Sequence, residues 1–515
     1  LSLGIKQLRN LRRTTAALLA AHVLAAGPTH AAPTPAPTSR AAQPKVSFAA
    51  ALVVESPSAH SFANAWGDYN GDGYLDLAVS LASGEIRLYA NERGSLRSTG
   101  AQLGLPAAGY EVRGLSWGDF DADGDLDLLG GAGPPSKPTL VLRNATGRFT
   151  DAAAAVGLTL LGRSARQTNW VDFDNDGDLD VYAADRQGGN KLFRNERGRF
   201  LEVLAQAAPV NSSPTVGACW FDADADGDLD LFVANQSGAA DALWRNEGAH
   251  FENVAARLGV AGPRRTTDMG GVGCAVGDYD NDGDLDLFVA AYGRNLLYRN
   301  ERHQMFVEVG SQLGVSQENR GVSADWGDVD NDGDLDLFVA AYRGPQEAPT
   351  YINALFRNDG TRGFVNTLRP DSAINRADHG AQFVDYDNDG LLDLSLTTGY
   401  GSRGGHYVFR NSLAGSAKQR SLSVLVLDQH GRHTRFGAEV RLYDRQGKLL
   451  GTRQVHTGGG YCTQRAAPVH FGLAMSQPVS VEVTFMSKHG RRAQRSGLVS
   501  PADYYGKSLI VREQP

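Results

Sequence analysis

The chain has 515 residues, of which 61 are glycine; 42% are hydrophobic and 21% charged, and the formal charge is −8. That balance supports packed cores, excludes a disordered polyelectrolyte and argues against nucleic acid as a partner. No apolar run reaches the ~18 residues of a membrane helix, so no transmembrane segment is expected, and three cysteines are too few for a disulfide framework.

The N-terminus reads as an address. Lys6, Arg9, Arg12 and Arg13 precede an apolar stretch from Thr14 to Ala26, and small residues follow up to Ala32. A charged start, a short apolar run and a small-residue site are the parts of a secretory signal peptide. Residues 1–31 are assigned to it, with cleavage after Ala31 because Pro33 makes the next bond a poor site. Residues 32–45, punctuated by prolines, read as an extended linker. Removing the four basic residues takes the formal charge from −8 to about −12.

From there an acidic nonapeptide recurs seven times, at intervals of 50 to 57 residues. Its positions 1, 3, 5, 7 and 9 are Asp68, Asn70, Asp72, Tyr74 and Asp76 in the first copy, and Asp119, Asp121, Asp123, Asp125 and Asp127 in the second. The third and fourth copies have Asp172, Asp174, Asp176, Asp178, Asp180 and Asp222, Asp224, Asp226, Asp228, Asp230. The fifth and sixth have Asp278, Asp280, Asp282, Asp284, Asp286 and Asp328, Asp330, Asp332, Asp334, Asp336. The seventh has Asp385, Asp387, Asp389, Leu391 and Asp393.

Hard cations such as Ca2+ take six to eight oxygens from carboxylates and carbonyls, and Gly at position 6 permits the sharp turn. Position 7 varies in chemistry, as expected where only its carbonyl is used. An EF-hand would need Glu at position 12 and flanking helices. Here position 12 is Val79, Gly130, Ala183, Val233, Val289, Val339 or Leu396, and the flanks read as strands. Turns without metal would leave four carboxylates repelling one another within nine residues. Mg2+ suits a cage of protein oxygens less well than Ca2+. About seven Ca2+ are therefore expected, which would bring the mature charge from about −12 to about +2.

The remainder of each repeat is β. An inner strand carries an aromatic two residues before the first Asp: Trp66, Trp117, Trp170, Trp220, Trp326 and Phe383, with Val276 the exception. A buried apolar run follows the loop, a third strand closes on Asn, and an aromatic opens a fourth. Four strands per ~50 residues is a propeller blade, and the tryptophans are expected to pack between blades. The last repeat lacks its fourth strand, and Val46 to Leu52 resembles the missing one, so the N-terminal strand should complete the seventh blade and hide two sheet edges. The fold class is thus all-β, a seven-bladed propeller over 46–417 with a small β-sandwich-like domain over 418–515.

These repeats resemble the FG-GAP/VCBS calcium-binding repeats of the integrin alpha-subunit propeller. The C-terminal segment is similar to the ASPIC/UnbV (cartilage acidic protein-like) signature at Phe436-Gly437-Ala438, Gly458-Gly-Gly-Tyr461-Cys462-Thr-Gln464 and Val469-His470-Phe471-Gly472. It departs where Phe485-Met-Ser-Lys-His-Gly490 replaces the family's Trp-Pro turn. Strands are expected at Ser421–Leu427, Glu439–Tyr443, Leu449–His456 and Val479–Phe485. His456, Cys462 and His470 match no zinc spacing and are read as packing. Cys219 and Cys274 lie three and four residues before their first Asp, and this opposite parity argues against a disulfide.

No nucleophile elbow, P-loop or dinucleotide fingerprint is present. The expected function is an exported, extracellular, periplasmic or envelope-associated calcium-dependent binding or adhesion module for protein or glycan. The alternative is an enzyme on a propeller scaffold, since members of the resembled family accompany secondary-metabolite pathways. Its site would be the channel mouth opposite the calcium hairpins, with Arg166, Arg320, Arg376, Asp378 and His379 as candidates beside Glu111, Arg113, Arg163, Arg264, Arg265 and Asp268. A third reading is a purely structural envelope protein.

Overall fold

The computed structural model describes residues 46–515, apart from 56–59, 106–111, 133–138, 160–163, 204–206, 210–211, 249, 344–350, 378, 400–403, 414 and 460. The signal peptide, the linker, Glu111, Arg163 and Asp378 lie outside the described residues. Seven antiparallel sheets follow one another along the chain. In the first, the order from the channel outward is Ser61–Gly67, Asp76–Leu81, Ile86–Asn91, Leu96–Ser98. The other blades repeat it, and each acidic loop joins its two innermost strands.

The inner strands are buried along their whole length because both faces meet a neighbouring blade. The expected inter-blade packing of the tryptophans is seen directly. Trp117 lies against Gly67, Trp170 against Gly118 and Trp326 against Gly277, where a Cβ would come within 3.0 Å of the ring. Trp117 and Trp170 also donate from Nε1 to Ala65 O and Ser116 O of the preceding blade, at 3.1 and 3.2 Å. Between blades four and five the pattern is inverted. Fully buried Phe221 stands where four other blades have glycine and two have valine, and Val276 replaces the aromatic, so the same wedge is filled from the opposite side.

The N-terminal strand Phe48–Glu55 pairs with Gly405–Asn411, from Phe48 opposite Asn411 to Glu55 opposite Gly405. The seventh blade therefore contains both ends of the propeller segment, as the resemblance of Val46 to Leu52 to an outer strand predicts.

Cys219 and Cys274 form a disulfide, with Cα atoms 6.2 Å apart, and the expectation against it is corrected. Opposite parity does send the two side chains to opposite faces of their own sheets. In stacked blades those are the two faces that meet.

The C-terminal region is a sandwich. One sheet has the order Val469–Gly472, Ser421–Leu427, Leu509–Arg512. The other runs Leu449–Gln454, Glu439–Tyr443, Val479–Phe485, Arg492–Val499. Val424, Val440, Leu442, Phe471, Val481 and Phe485 fill the core between them. The third expected strand ends at Gln454 rather than His456, because the chain there turns into the propeller channel.

Candidate metal loops, channel hairpin and mouth

Each acidic loop is shaped by its own side chains. In the third, Asp172 accepts N–H bonds from Asp176 at Oδ1 and from Gly177 at Oδ2, both 2.9 Å, and Asp176 accepts from Asp178 N at 3.0 Å. The turn requires a left-handed backbone at position 6, where φ runs from 83° at Gly390 to 104° at Gly283. Position 4 is also left-handed, and Asn, which tolerates that region, fills it in four copies: Asn175, Asn281, Asn331 and Asn388. All four reach the next loop round the ring: Asn175 donates to Gly227 O, Asn281 to Gly333 O, Asn331 to Gly390 O and Asn388 to Gly73 O across the seam. This second asparagine series is not evident from the acidic positions alone.

The position-9 aspartate is a buried clamp. Asp180 takes Phe173 N on one oxygen and Asn195 N on the other, at 3.1 and 2.7 Å. The Asn that closes the third strand then donates twice through its amide. Asn195 bonds Leu179 O in its own blade and Phe120 O in the preceding one, both at 3.0 Å. All seven closing asparagines repeat the bond to the preceding blade in the ring.

Carboxylate oxygens of positions 1, 3 and 9 converge within 4.8 Å in Asp119–Asp121–Asp127, Asp172–Asp174–Asp180 and Asp222–Asp224–Asp230. Asp278–Asp280–Asp282 and Asp328–Asp330–Asp332 form equivalent groups from positions 1, 3 and 5. These clusters can hold metal ions. The donor set fits a hard cation on an independent observation: Oδ1 of Asp121, Asp174, Asp224 and Asp387, and both oxygens of Asp330, are buried without a hydrogen-bond donor. Burial, aided by neighbouring carboxylates, pushes the position-1 acids up to about 7 at Asp119, Asp172, Asp222 and Asp278 and about 8 at Asp385. Asp76 and Asp127 at position 9 rise to about 8 and about 9, again chiefly through burial. A cation removes the electrostatic cost that these shifts express. Position-7 side chains are engaged elsewhere: Asp125 accepts from Thr146 N and Asp284 from Arg302 N, at 2.7 and 2.8 Å.

The C-terminal sandwich sits on this loop face. Arg435 approaches Asp172 at 3.7 Å, Arg491 reaches Asp222 at 3.2 Å, and Thr452 N donates to Asp278 at 3.2 Å. Gly472 lies so close to Asp328 that a Cβ would stand 2.0 Å from its Oδ2.

From the sandwich, residues 456–467 enter the channel as a hairpin, with Gly459 bridged to Thr463. Thr463 and Gln464 pair in parallel with Leu115 and Ser116 of blade two. Gln464 accepts from Trp170 N at 2.7 Å and donates to Trp170 O at 2.8 Å, satisfying its amide on blade three. Thr457 donates to Trp220 O at 2.5 Å on blade four, and Ala466 N donates to Trp66 O on blade one at 2.9 Å. The Gly-rich motif singled out in the sequence is therefore the part that fixes the second domain inside the first. Cys462 is buried there and its thiol is pushed up to about 12, chiefly by burial. His456 and His470 are held well below the usual histidine range by burial, His470 at about 4.

The hairpin tip places Tyr461 at the far mouth, its ring 4.1 Å from that of His379. Tyr342 stands 5.9 Å from His379, and Arg320 lies over the rings of Tyr292, Tyr342 and Tyr351. Arg113 and Arg166 are buried and repel one another enough to help burial lower Arg113 to about 9. Of the residues named from sequence, Arg166, Arg320 and His379 thus gather around Tyr461, together with Arg113. Arg376 ends the short turn Ala373–Arg376, exposed. Arg265 is committed to buried Asp241 at 2.8 Å, and Asp268 is exposed and bonded to Thr266. Tyr461 and Tyr292 were overlooked because nothing in the sequence shows that the Gly-rich loop crosses the channel.

Two families match this chain. Residues 61–130, 172–233, 222–289 and 278–339 match the FG-GAP-like repeat family, and residues 429–500 match the ASPIC and UnbV family. Cartilage acidic protein 1 of Mus musculus is 28% identical over 271 residues, covering 49% of this chain and 39% of that protein. The Homo sapiens protein is 28% identical over 260 residues, covering 47% and 36%. The match thus spans little more than a third of those relatives' own length. A solved Agrocybe aegerita lectin, described as recognising non-reducing terminal N-acetylglucosamine, aligns over 71% of this chain and 96% of its own. Its TM-score is 0.39 and its identity 16%. The chain carries FG-GAP repeats and an ASPIC/UnbV domain and is homologous to cartilage acidic protein 1 at modest identity.

Proposed function

We propose that this FG-GAP propeller is an exported calcium-binding protein that acts as a calcium-dependent binding or adhesion module for protein or glycan. The observation that carries the reading is the set of converging position-1, -3 and -9 carboxylates whose buried oxygens lack donors. In each loop the side chains at positions 1, 3, 5 and 9, all carboxylates except Asn70, and the carbonyl at position 7 would hold the ion. Calcium there supplies charge neutralisation and rigid hairpins, and the chain's own residues do the rest. The position-9 aspartate and the closing Asn tie each loaded loop to the preceding blade. The sandwich, over 418–515, covers the loop face, which leaves the outer walls of 46–417 and the mouth around Arg166, Arg320 and His379 for a partner. Among the described residues no helix is long and apolar enough to cross a membrane.

The test is retention of the mature chain on immobilised cell-surface glycans and matrix proteins, in calcium and in chelator. Binding that needs calcium supports the reading. Binding unaffected by chelator under conditions that strip the metal contradicts it. An enzymatic role at the mouth would instead show turnover lost in Arg166→Ala and His379→Ala with calcium content unchanged.

A further inference from the structure

The hairpin does not fill the channel evenly. Its backbone and side-chain bonds run to blades one to four, through Trp66, Leu115, Trp170 and Trp220, and Thr463 accepts from Gln382 of blade seven at 2.9 Å. Towards blade six it makes one charged contact, Arg465 to Asp325 Oδ2 at 2.5 Å. On that side, between blades five, six, seven and one and the sandwich, a cavity of about 520 Å³ remains. Val276, Trp326 and Phe383 form its propeller wall, and His456, Arg465 and Val469 its domain wall. That volume falls in the ~300–1,000 Å³ range of small-molecule sites, and domain junctions are where such sites concentrate.

We propose that this crevice binds a small organic acid with an apolar body, its carboxylate held by Arg465. The walls supply the apolar contact. Asp325, the carboxylate set in the inner-strand wall, is already taken by Arg465 and by Phe383 N at 2.7 Å. Arg465 spends one N–H on that pair, and 17% of its side chain stays open beside the crevice. Arg453, also on the lining and only 7% exposed, keeps Nε buried without an acceptor. Once calcium neutralises Asp68, Asp72 and Asp385 on the same lining, two guanidinium groups with donors to spare, beside Lys507, favour a carboxylate over a neutral or cationic head group. Asp68 and Asp385, whose loops are assigned to calcium, stand at the same cavity, so the site is complete only in calcium-loaded protein. The crevice is independent of what the outer walls or the mouth bind.

Anilinonaphthalene sulfonate, an anionic apolar dye, is the probe, used in saturating calcium on the full mature chain. Its fluorescence should saturate at one dye per chain, and decanoate should displace it at about tenfold lower concentration than decanol. Ser423→Phe, which projects a ring from the sandwich strand into the crevice, should abolish the signal with the melting temperature retained. Asp325→Asn with Arg465→Gln keeps a neutral hydrogen-bonded pair and should make decanoate and decanol equal. No saturable dye signal, equal displacement by the two ligands in the unmodified protein, or an undiminished signal in folded Ser423→Phe would each overturn the proposal.

Discussion

Asn91 donates from Nδ2 to the carbonyl of Tyr386 at 2.7 Å, across 295 residues of sequence. That bond crosses the seam between the first and last blades, and it is the same bond that every closing Asn makes to the blade before it. Trp66 packs at 5.9 Å from Tyr386 over the same seam, and Asn64 donates to Ser395 at 3.0 Å nearer the channel. The ring thus closes with the chemistry of its other joints.

Replacing Asn91 by Ala removes two buried donated bonds and strands the carbonyls of Leu75 and Tyr386. The expected loss is roughly 2–4 kcal/mol, at about 1–2 kcal/mol per stranded group. Asn195→Ala, at an internal joint, should cost a similar amount in denaturant unfolding. A seam variant with no loss of stability would show that the first and last blades are held by something else.

Ala225 occupies the left-handed position 4 of the fourth loop, with φ 61°, where four other loops carry Asn. Asn there removes a steric penalty and can reach the fifth loop as Asn175 reaches the fourth. Ala225→Asn should stabilise the calcium-loaded protein by roughly 0.5–1 kcal/mol, read as a raised melting temperature. A lowered midpoint would mean the bridging geometry does not transfer.

The Cys219–Cys274 link closes a 55-residue separation between two inner strands. Cys219→Ser with Cys274→Ser should cost roughly 2–5 kcal/mol. Thiol titration of the unfolded, unreduced chain should find only Cys462, and the native chain none, because Cys462 is buried. Three reactive thiols on unfolding would refute the pairing.

Gln464 ties the hairpin to both backbone groups of Trp170. Gln464→Ala leaves those groups unmet in a buried site, a loss of roughly 2–4 kcal/mol that falls on the joint between domains. Limited proteolysis should then cut within 418–515 while the propeller stays intact. An unchanged digestion pattern would mean that the Arg435, Arg491 and Thr452 contacts suffice to hold the sandwich.

The blades were legible because their determinants are local and repeated. Acidic residues at alternate positions with Gly at the sixth dictate the loop, and the aromatic, the apolar run and the closing Asn stand at near-constant offsets from it. Even the last blade could be assembled, with Val46 to Leu52 supplying the strand that is missing after Asn411. What escaped was relational. The partner of Asn195 is Phe120 O, 75 residues away, and no spacing announces it. Parity placed the two cysteines on opposite faces correctly, but which faces meet depends on how blades stack. Phe221 and Val276 exchange volumes across a joint, so each looks anomalous in its own repeat. The Gly-rich loop before Gln464 carries no sign that it enters a channel. The mouth was therefore drawn without Tyr461, and the crevice beside Arg465 went unseen.

Each of the seven loops is proposed to hold one Ca2+. Elemental analysis of the purified chain, dialysed against calcium and then buffer, measures it most directly. Close to seven calcium per chain are expected, with the first loop, carrying Asn70, the weakest. Loss of one equivalent is expected in Asp174→Ala, which removes a buried oxygen without a donor. Two or fewer calcium per chain, with an unchanged melting temperature in chelator, would contradict the assignment.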